Sequence, residues 1–313
     1  MRFSLVLSFS LCILAASRTA PGFSLQEPPA PPPPAASRPQ DEVLVRAFQL
    51  IGEGKFKPAK TELDRAAALA GGPCGECLLG LSHVYASEKK WDKTVDTLQR
   101  AIPLLKSPGL LARAYNQLGI AYVALGSPDD LTKAEDALRR ALDAGGSWGT
   151  MARFNLAEVL FRLRNWPEVV ETARRYLKEA GPDGTARDEA RVLLCRARVF
   201  LPDDKSPEPS QQEEPKRVEG DVQRPRLLSQ VNPAYTEKAR EAGTTGRVVL
   251  EAIIDDEGCV RNVRAIEELP NGLTESAMDS VRRWVFSPAT LDGRPVKVYY
   301  VLTVNFSVQR RLS

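Results

Sequence analysis

Between about residues 41 and 201, apolar side chains recur at intervals of three and four, the spacing that gathers them on one stripe of an α-helix. The stripes come in pairs, and the pairs repeat. Small residues at Ala47, Ser82, Gly119 and Ala157 each precede an apolar or aromatic position three residues on: Leu50, Tyr85, Tyr122 and Leu160. About twelve residues past each small position, or a few more in the third unit, stand Ala59, Thr94, Ala134 and Val169; Leu63, Leu98, Leu138 and Ala173 follow, and then Ala66, Ala101, Ala141 and Tyr176. The period is about 35 to 40 residues, with turn chemistry such as Gly52-Glu53-Gly54, Gly126-Ser127-Pro128 and Asn165-Trp166-Pro167 between the two helices of a unit. One such unit cannot bury its apolar face alone, so the pattern predicts about four stacked units and a closing helix near residues 185–200.

From Gly246 the period falls to two. Val248, Leu250, Ala252 and Ile254 share one face of a strand, and Asp256-Glu257-Gly258 turns the chain into a second strand at residues 259–266. Leu269-Pro270-Asn271-Gly272 breaks the sheet, and a short amphipathic helix is predicted over residues 274–284, with Ala277, Met278 and Val281 on its apolar side. After a turn at Asp292-Gly293-Arg294-Pro295 comes a long final strand, in which Val298, Tyr300, Leu302, Val304 and Phe306 alternate with Tyr299, Val301, Thr303 and Asn305. The order strand, strand, helix, strand describes a small α+β domain.

The segments around these two parts have different compositions. Residues 1–20 read as a signal peptide: a basic start at Arg2, an apolar run over residues 3–16 and the small residues Ala15-Ala16-Ser17. About 14 apolar residues would make a helix of roughly 21 Å, short of a hydrocarbon core of about 30 Å. Cys12 follows Leu11 inside that run, which argues against a lipid anchor. Residues 21–40 form a proline-rich spacer, and residues 202–223 are a linker expected to be disordered because Pro, Glu, Gln, Ser and Lys dominate it. The expected organisation is therefore signal 1–20, spacer 21–40, helical repeats 41–201, linker 202–223 and α+β domain 224–310. With 43 basic and 40 acidic residues intermixed, the chain lacks the one-signed field that nucleic acid binding requires.

The helical units resemble the tetratricopeptide repeat, best in Tyr115-Asn116-Gln117-Leu118-Gly119-Ile120-Ala121-Tyr122. They depart from it in lacking the usual early tryptophan and in an apparent insertion at residues 128–131. The C-terminal part resembles the C-terminal domain of TonB. Its signatures run in order through Asn232-Pro233-Ala234-Tyr235, Lys238-Ala239-Arg240, Gly246-Arg247-Val248, Asp256-Glu257-Gly258, the stretch from Ala277 to Trp284, Trp284-Val285-Phe286-Ser287-Pro288-Ala289 and Gly293-Arg294-Pro295-Val296. The resemblance implies a multidomain protein, an all-α repeat solenoid followed by that small α+β domain, lying in the periplasm or cell envelope. It further implies binding to TonB-dependent outer-membrane transporters in energy-coupled transport, by strand addition at the edge formed by residues 298–306, while the repeats recruit another, unknown protein. The competing reading is a periplasmic scaffold with no part in energy transduction. Membrane association is expected only if the N-terminal segment stays uncleaved.

Catalytic chemistry has little to stand on. The one histidine, His83, has no convergent partners in the pattern, and no cofactor or metal site is expected. Cys74-Gly75-Glu76-Cys77 opens a repeat helix and is not followed by histidine, so a local disulfide is the expected use, with a redox or metal role the minor alternative. Cys195 and Cys259 fall in different predicted domains and are expected to be buried thiols. Asp255, Asp256 and Glu257 have the polarity a hairpin turn needs, without invoking a cation.

Overall fold

A computed structural model of the chain describes residues 38–181, 184, 186–201 and 214–307. The expected signal peptide and most of the proline-rich spacer lie outside the described residues. The chain divides into two compact units, with the boundary between residues 155 and 156.

The first unit is built of antiparallel helix pairs: α1 (Pro39–Gly52) with α2 (Phe56–Ala70), α3 (Gly75–Ser87) with α4 (Trp91–Ala101), and α5 (Pro108–Leu125) with α6 (Pro128–Ala144). It ends within α7 (Ser147–Arg162). These are tetratricopeptide-like units, and the repeating positions read from the sequence, apart from the half-buried Leu50 and Tyr85, form its core. Ala47, Ala59, Ala66, Ser82, Thr94, Leu98, Ala101, Ala134, Leu138 and Ala141 are all fully buried. The small positions set how closely helices approach: a Cβ on Gly119 would stand 2.6 Å from Cγ of Leu138. Residues 128–131, the extra length of the third unit, form the first turn of α6, started by Ser127, whose hydroxyl accepts from the backbone N–H of Asp130 at 3.1 Å while the Asp130 carboxylate accepts from the Ser127 N–H at 3.3 Å.

The second unit takes up the remainder of α7, α8 (Trp166–Glu179) and α9 (Arg187–Arg198), and then the β-rich part. Trp166 stacks on Phe200 with ring centroids 4.5 Å apart and meets the edge of Phe161 at 5.2 Å, which closes the last helical layer. Strand β1 (Lys216–Arg217) and β2 (Arg226–Ser229) come next, followed by α10 (Glu237–Glu241), β3 (Gly246–Ile254), β4 (Val260–Glu267), α11 (Leu273–Val281), β5 (Val285–Ser287), β6 (Ala289–Leu291), β7 (Arg294–Val296) and β8 (Val298–Phe306). The main sheet has the order β1-β8-β3-β4, and β8 runs antiparallel to β3 without a break in register, from Gly246 opposite Phe306 to Ile254 opposite Val298. Two short antiparallel pairs, β2 with β5 and β6 with β7, flank it.

The period-two pattern is what this sheet buries. Val248, Leu250, Ala252, Ile254, Val298, Leu302, Val304 and Phe306 face a core that also holds Leu273, Ala277 and Val281 of α11. Trp284 fastens the end of that helix, its indole N–H donating to the carbonyl of Val231 at 2.8 Å, and Phe286 meets the ring of Tyr300 at 6.0 Å. Helix α11 stops at Val281, a turn earlier than the sequence pattern predicts, because residues 285–287 are drawn into pairing with β2.

Candidate functional site

The expected partner-binding strand, β8, lies between β3 and β1. On the β1 side only two residues are covered: Lys216 pairs in parallel with Val298, and Arg217 with Tyr299. From Tyr300 to Phe306 that edge carries no strand among the described residues. Lys216 donates its backbone N–H to the carbonyl of Lys297 at 2.9 Å, so Lys297 points its main-chain groups toward this edge. Main-chain direction alternates along a strand, which puts the N–H and C=O groups of Val301, Thr303 and Asn305 on the open stretch. The same residues have exposed side chains, and Tyr299 and Val301 are 37% and 57% accessible, large for apolar groups. Val298, Leu302, Val304 and Phe306 are buried, and Tyr300 is half-buried on the core side. An unpaired row of backbone donors and acceptors beside exposed apolar side chains is a template for one more strand.

Part of that edge is closed by a segment the composition marks as linker. Residues 216–223 hold β1, a turn and a backbone bridge in which Gln223 and Thr290 exchange bonds of 2.8 and 3.2 Å. Val218 and Val222 pack against the β-rich core, and the Arg217 guanidinium lies over the ring of Tyr299 at 5.9 Å. Those two valines are the sole large apolar residues of the stretch, and they were the available signal.

The cysteines form two disulfides. Cys74 joins Cys77 at the start of α3, where the Cys74 sulfur also accepts from the Cys77 backbone N–H at 3.1 Å. The expectation of two separate thiols at Cys195 and Cys259 is corrected: they are bonded to each other, with Cα atoms 5.2 Å apart. The correction has a physical cause, because α9 does not end a separate domain but packs on β2 and β5. Beside the disulfide, the buried guanidinium of Arg198 donates to Glu257 at 2.6 Å and to Asp255 at 3.3 Å, and Arg174 from α8 grips Glu257 with bonds of 2.5 and 3.0 Å. The three acids at the β3–β4 turn are therefore divided. Asp255 accepts from the backbone of Glu257 and Cys259, Glu257 serves two arginines, and Asp256 is held above the usual carboxylate range by burial and by the neighbouring charge of Asp255. No group able to hold a metal occurs among the described residues.

In the first unit, His83 is half-buried on α3 and kept well below its ordinary pKa of 6.5, first by burial and then by the charge of Arg113. Arg113 was absent from the sequence expectations; a lone arginine in a helix gives no sign of which rings it will meet. No helix among the described residues is long and apolar enough to cross a membrane.

Comparison with known proteins separates the two halves. Residues 231–308 match the family described as Gram-negative bacterial TonB protein C-terminal. The protein TonB of Vibrio cholerae serotype O1 is 32% identical over 90 residues, 28% of this chain and 37% of that protein. That of Xanthomonas campestris pv. campestris is 34% identical over 77 residues, 24% of this chain and 34% of its own length. The chain thus spans about a third of the length of these curated relatives. Among solved structures, the tetratricopeptide protein YrrB aligns at 17% identity with a TM-score of 0.41, covering 52% of this chain and 78% of its own. The MamA protein aligns at 19% identity and a TM-score of 0.41, covering 51% and 81%. Residues 231–308, which run from the Val231 carbonyl that holds Trp284 through β3 to β8, are thus similar to the C-terminal domain of TonB, and they follow the helix pairs of the N-terminal part.

Proposed function

We propose that this protein acts in the periplasm as a TonB-family binding protein, pairing the edge of β8 with an extended segment of a TonB-dependent outer-membrane transporter while its repeats recruit a second protein. The observation that carries the reading is the open edge at Val301, Thr303 and Asn305, in a domain similar to the C-terminal domain of TonB, with exposed side chains alongside. Such an edge gains affinity from main-chain hydrogen bonds and selectivity from alternate side chains, and it needs no cofactor or catalytic group. Coupling to an energy source belongs to the same proposal. The competing role, a scaffold without energy transduction, is favoured by one feature, the covalent attachment of α9 to the β-rich part through Cys195 and Cys259.

The test uses the full chain and N-terminal peptides from TonB-dependent transporters of the same cell, with affinity measured by titration and the contact mapped by NMR. Thr303→Pro removes one outward N–H donor and is expected to weaken binding about tenfold or more. Val301→Lys puts a charge beside the edge without touching the backbone and should weaken it as well. Peptides that bind wild type and both variants equally, or shift resonances away from β8, would overturn the strand-addition reading.

A further inference from the structure

The first helices of three repeat units converge on one guanidinium. Arg113 of α5 lies over the ring of Phe48 from α1 at 5.0 Å and over the ring of Trp148 from α7 at 5.2 Å. Its Nε atom is buried with no hydrogen-bond partner, and Arg113 forms no ion pair among the described residues. One turn along the same helix the side-chain amide nitrogen of Gln117 is also buried without an acceptor, although the other end of that amide meets the hydroxyl of Ser82 at 3.2 Å. Burial lowers the Arg113 pKa to about 10, the direction expected of a cation lacking a counter-charge.

A buried donor left unmade is costly, and a buried charge more so. Aromatic faces recover part of that cost, but they cover the faces of a guanidinium and cannot accept from the N–H groups along its edge. What that edge accepts best is a planar anion, and a carboxylate fits it with two parallel bonds. The two nearby asparagines are spent on each other, Asn155 donating to Asn116 at 2.8 Å, so the amides that would hold a chain end are occupied. The rings of Phe48 and Trp148 instead offer apolar surface to the residues flanking an acidic side chain.

We infer that Arg113, flanked by Phe48 and Trp148, is a binding site on the repeats for the Asp or Glu side chain of a partner polypeptide. The inference deepens, and rests on, the reading that the repeats recruit a protein; it is independent of the β8 edge.

The test is selection of short displayed peptides, fused so that no free C-terminus is present, on immobilised full-length chain and in parallel on Arg113→Gln. Selected wild-type binders should carry Asp or Glu at one fixed position beside apolar residues. Changing that acid to its amide should weaken binding to wild type about tenfold, and should cost almost nothing further on Arg113→Gln, since the partner charge is already gone. Arg113→Lys, which keeps the charge and loses the planar fork, should fall between them. If Arg113→Gln fails to fold, the Nε–H resonance of Arg113 in wild type serves instead: it should move with the acidic peptide and not with its amide. A consensus without an acid would remove this site and leave the repeats as a recruiter, and an acid dependence unchanged in Arg113→Gln would likewise overturn it. Enrichment only when free C-termini are displayed would overturn the side-chain assignment in favour of a chain-end carboxylate. No selection at all would remove both this site and the recruiting role.

Discussion

Gly258 controls the turn between β3 and β4 through space alone. Its φ is +92°, and a Cβ there would stand 1.9 Å from the carbonyl oxygen of Phe286, a backbone atom that cannot rotate away. Gly258→Ala is therefore expected to cost about 3 kcal/mol or more, read as a lowered midpoint in chemical denaturation. His83 makes a prediction about pH. Burial and Arg113 hold the folded-state pKa well below 6.5, so on acidification the unfolded chain takes up a proton that the folded chain refuses. Stability from this group is complete above the unfolded pKa and is lost as pH falls below it, at about 1.4 kcal/mol per pH unit until the folded form also protonates. His83→Gln should flatten the loss of stability between about pH 6.5 and 5 relative to wild type, and equal slopes would contradict this account. The sequence marked Gly258 because a hairpin needs such a residue, whereas the depressed pKa of His83 comes first from its burial and then from Arg113, a neighbour 30 positions away, and no local pattern names either.

At the scale of elements, the β1–β8 pairing and the proposed docking edge compete for the same strand. An incoming segment either starts beyond Tyr299 or displaces Lys216 and Arg217. Lys216→Pro removes the N–H that bonds to Lys297, and it is expected to raise the affinity of the β8 edge for an extended peptide severalfold, measured by titration with the same transporter peptides. Unchanged affinity would mean that the partner pairs only from Tyr300 onward. The helix pairs and the alternation of β8 were legible because each is a property of neighbouring residues: of the repeat positions from Ala47 to Ala141 named by periodicity, all but the half-buried Leu50 and Tyr85 are buried. The pairing of β1 was not legible, since two residues in a polar stretch carry no period and their pairing is decided by the strand they meet.

For the whole molecule, the decisive link is the one between Cys195 and Cys259, 64 residues apart. Closing a loop of that size removes enough freedom from the unfolded chain to stabilise the fold by up to about 4 kcal/mol in the chain-entropy model, against roughly 2 for the short Cys74–Cys77 loop. Cys195→Ser should therefore lower the melting temperature more than Cys74→Ser, and reduction of wild type should reproduce the larger effect. Arg198 makes the same junction electrostatic, with Asp255 and Glu257 on one guanidinium, so α9 should keep its place on the β-rich part in the reduced protein. Loss of that packing on reduction, seen as exchange of the α9 amides, would show the disulfide alone holds it.

By itself the sequence determined the repeat of paired helices, the α+β order of the C-terminal part and the face that each strand buries. All three follow from periods of about 3.6 and 2 in the placement of apolar residues, and a period is local. Tertiary structure alone decided that Cys195 bonds Cys259, that residues 216–217 occupy the start of the β8 edge, and that Arg113 lies between Phe48 and Trp148 without a counter-charge. Each of these joins residues far apart in the chain, and such proximity is set by how the layers pack, which no pattern of neighbouring residues records.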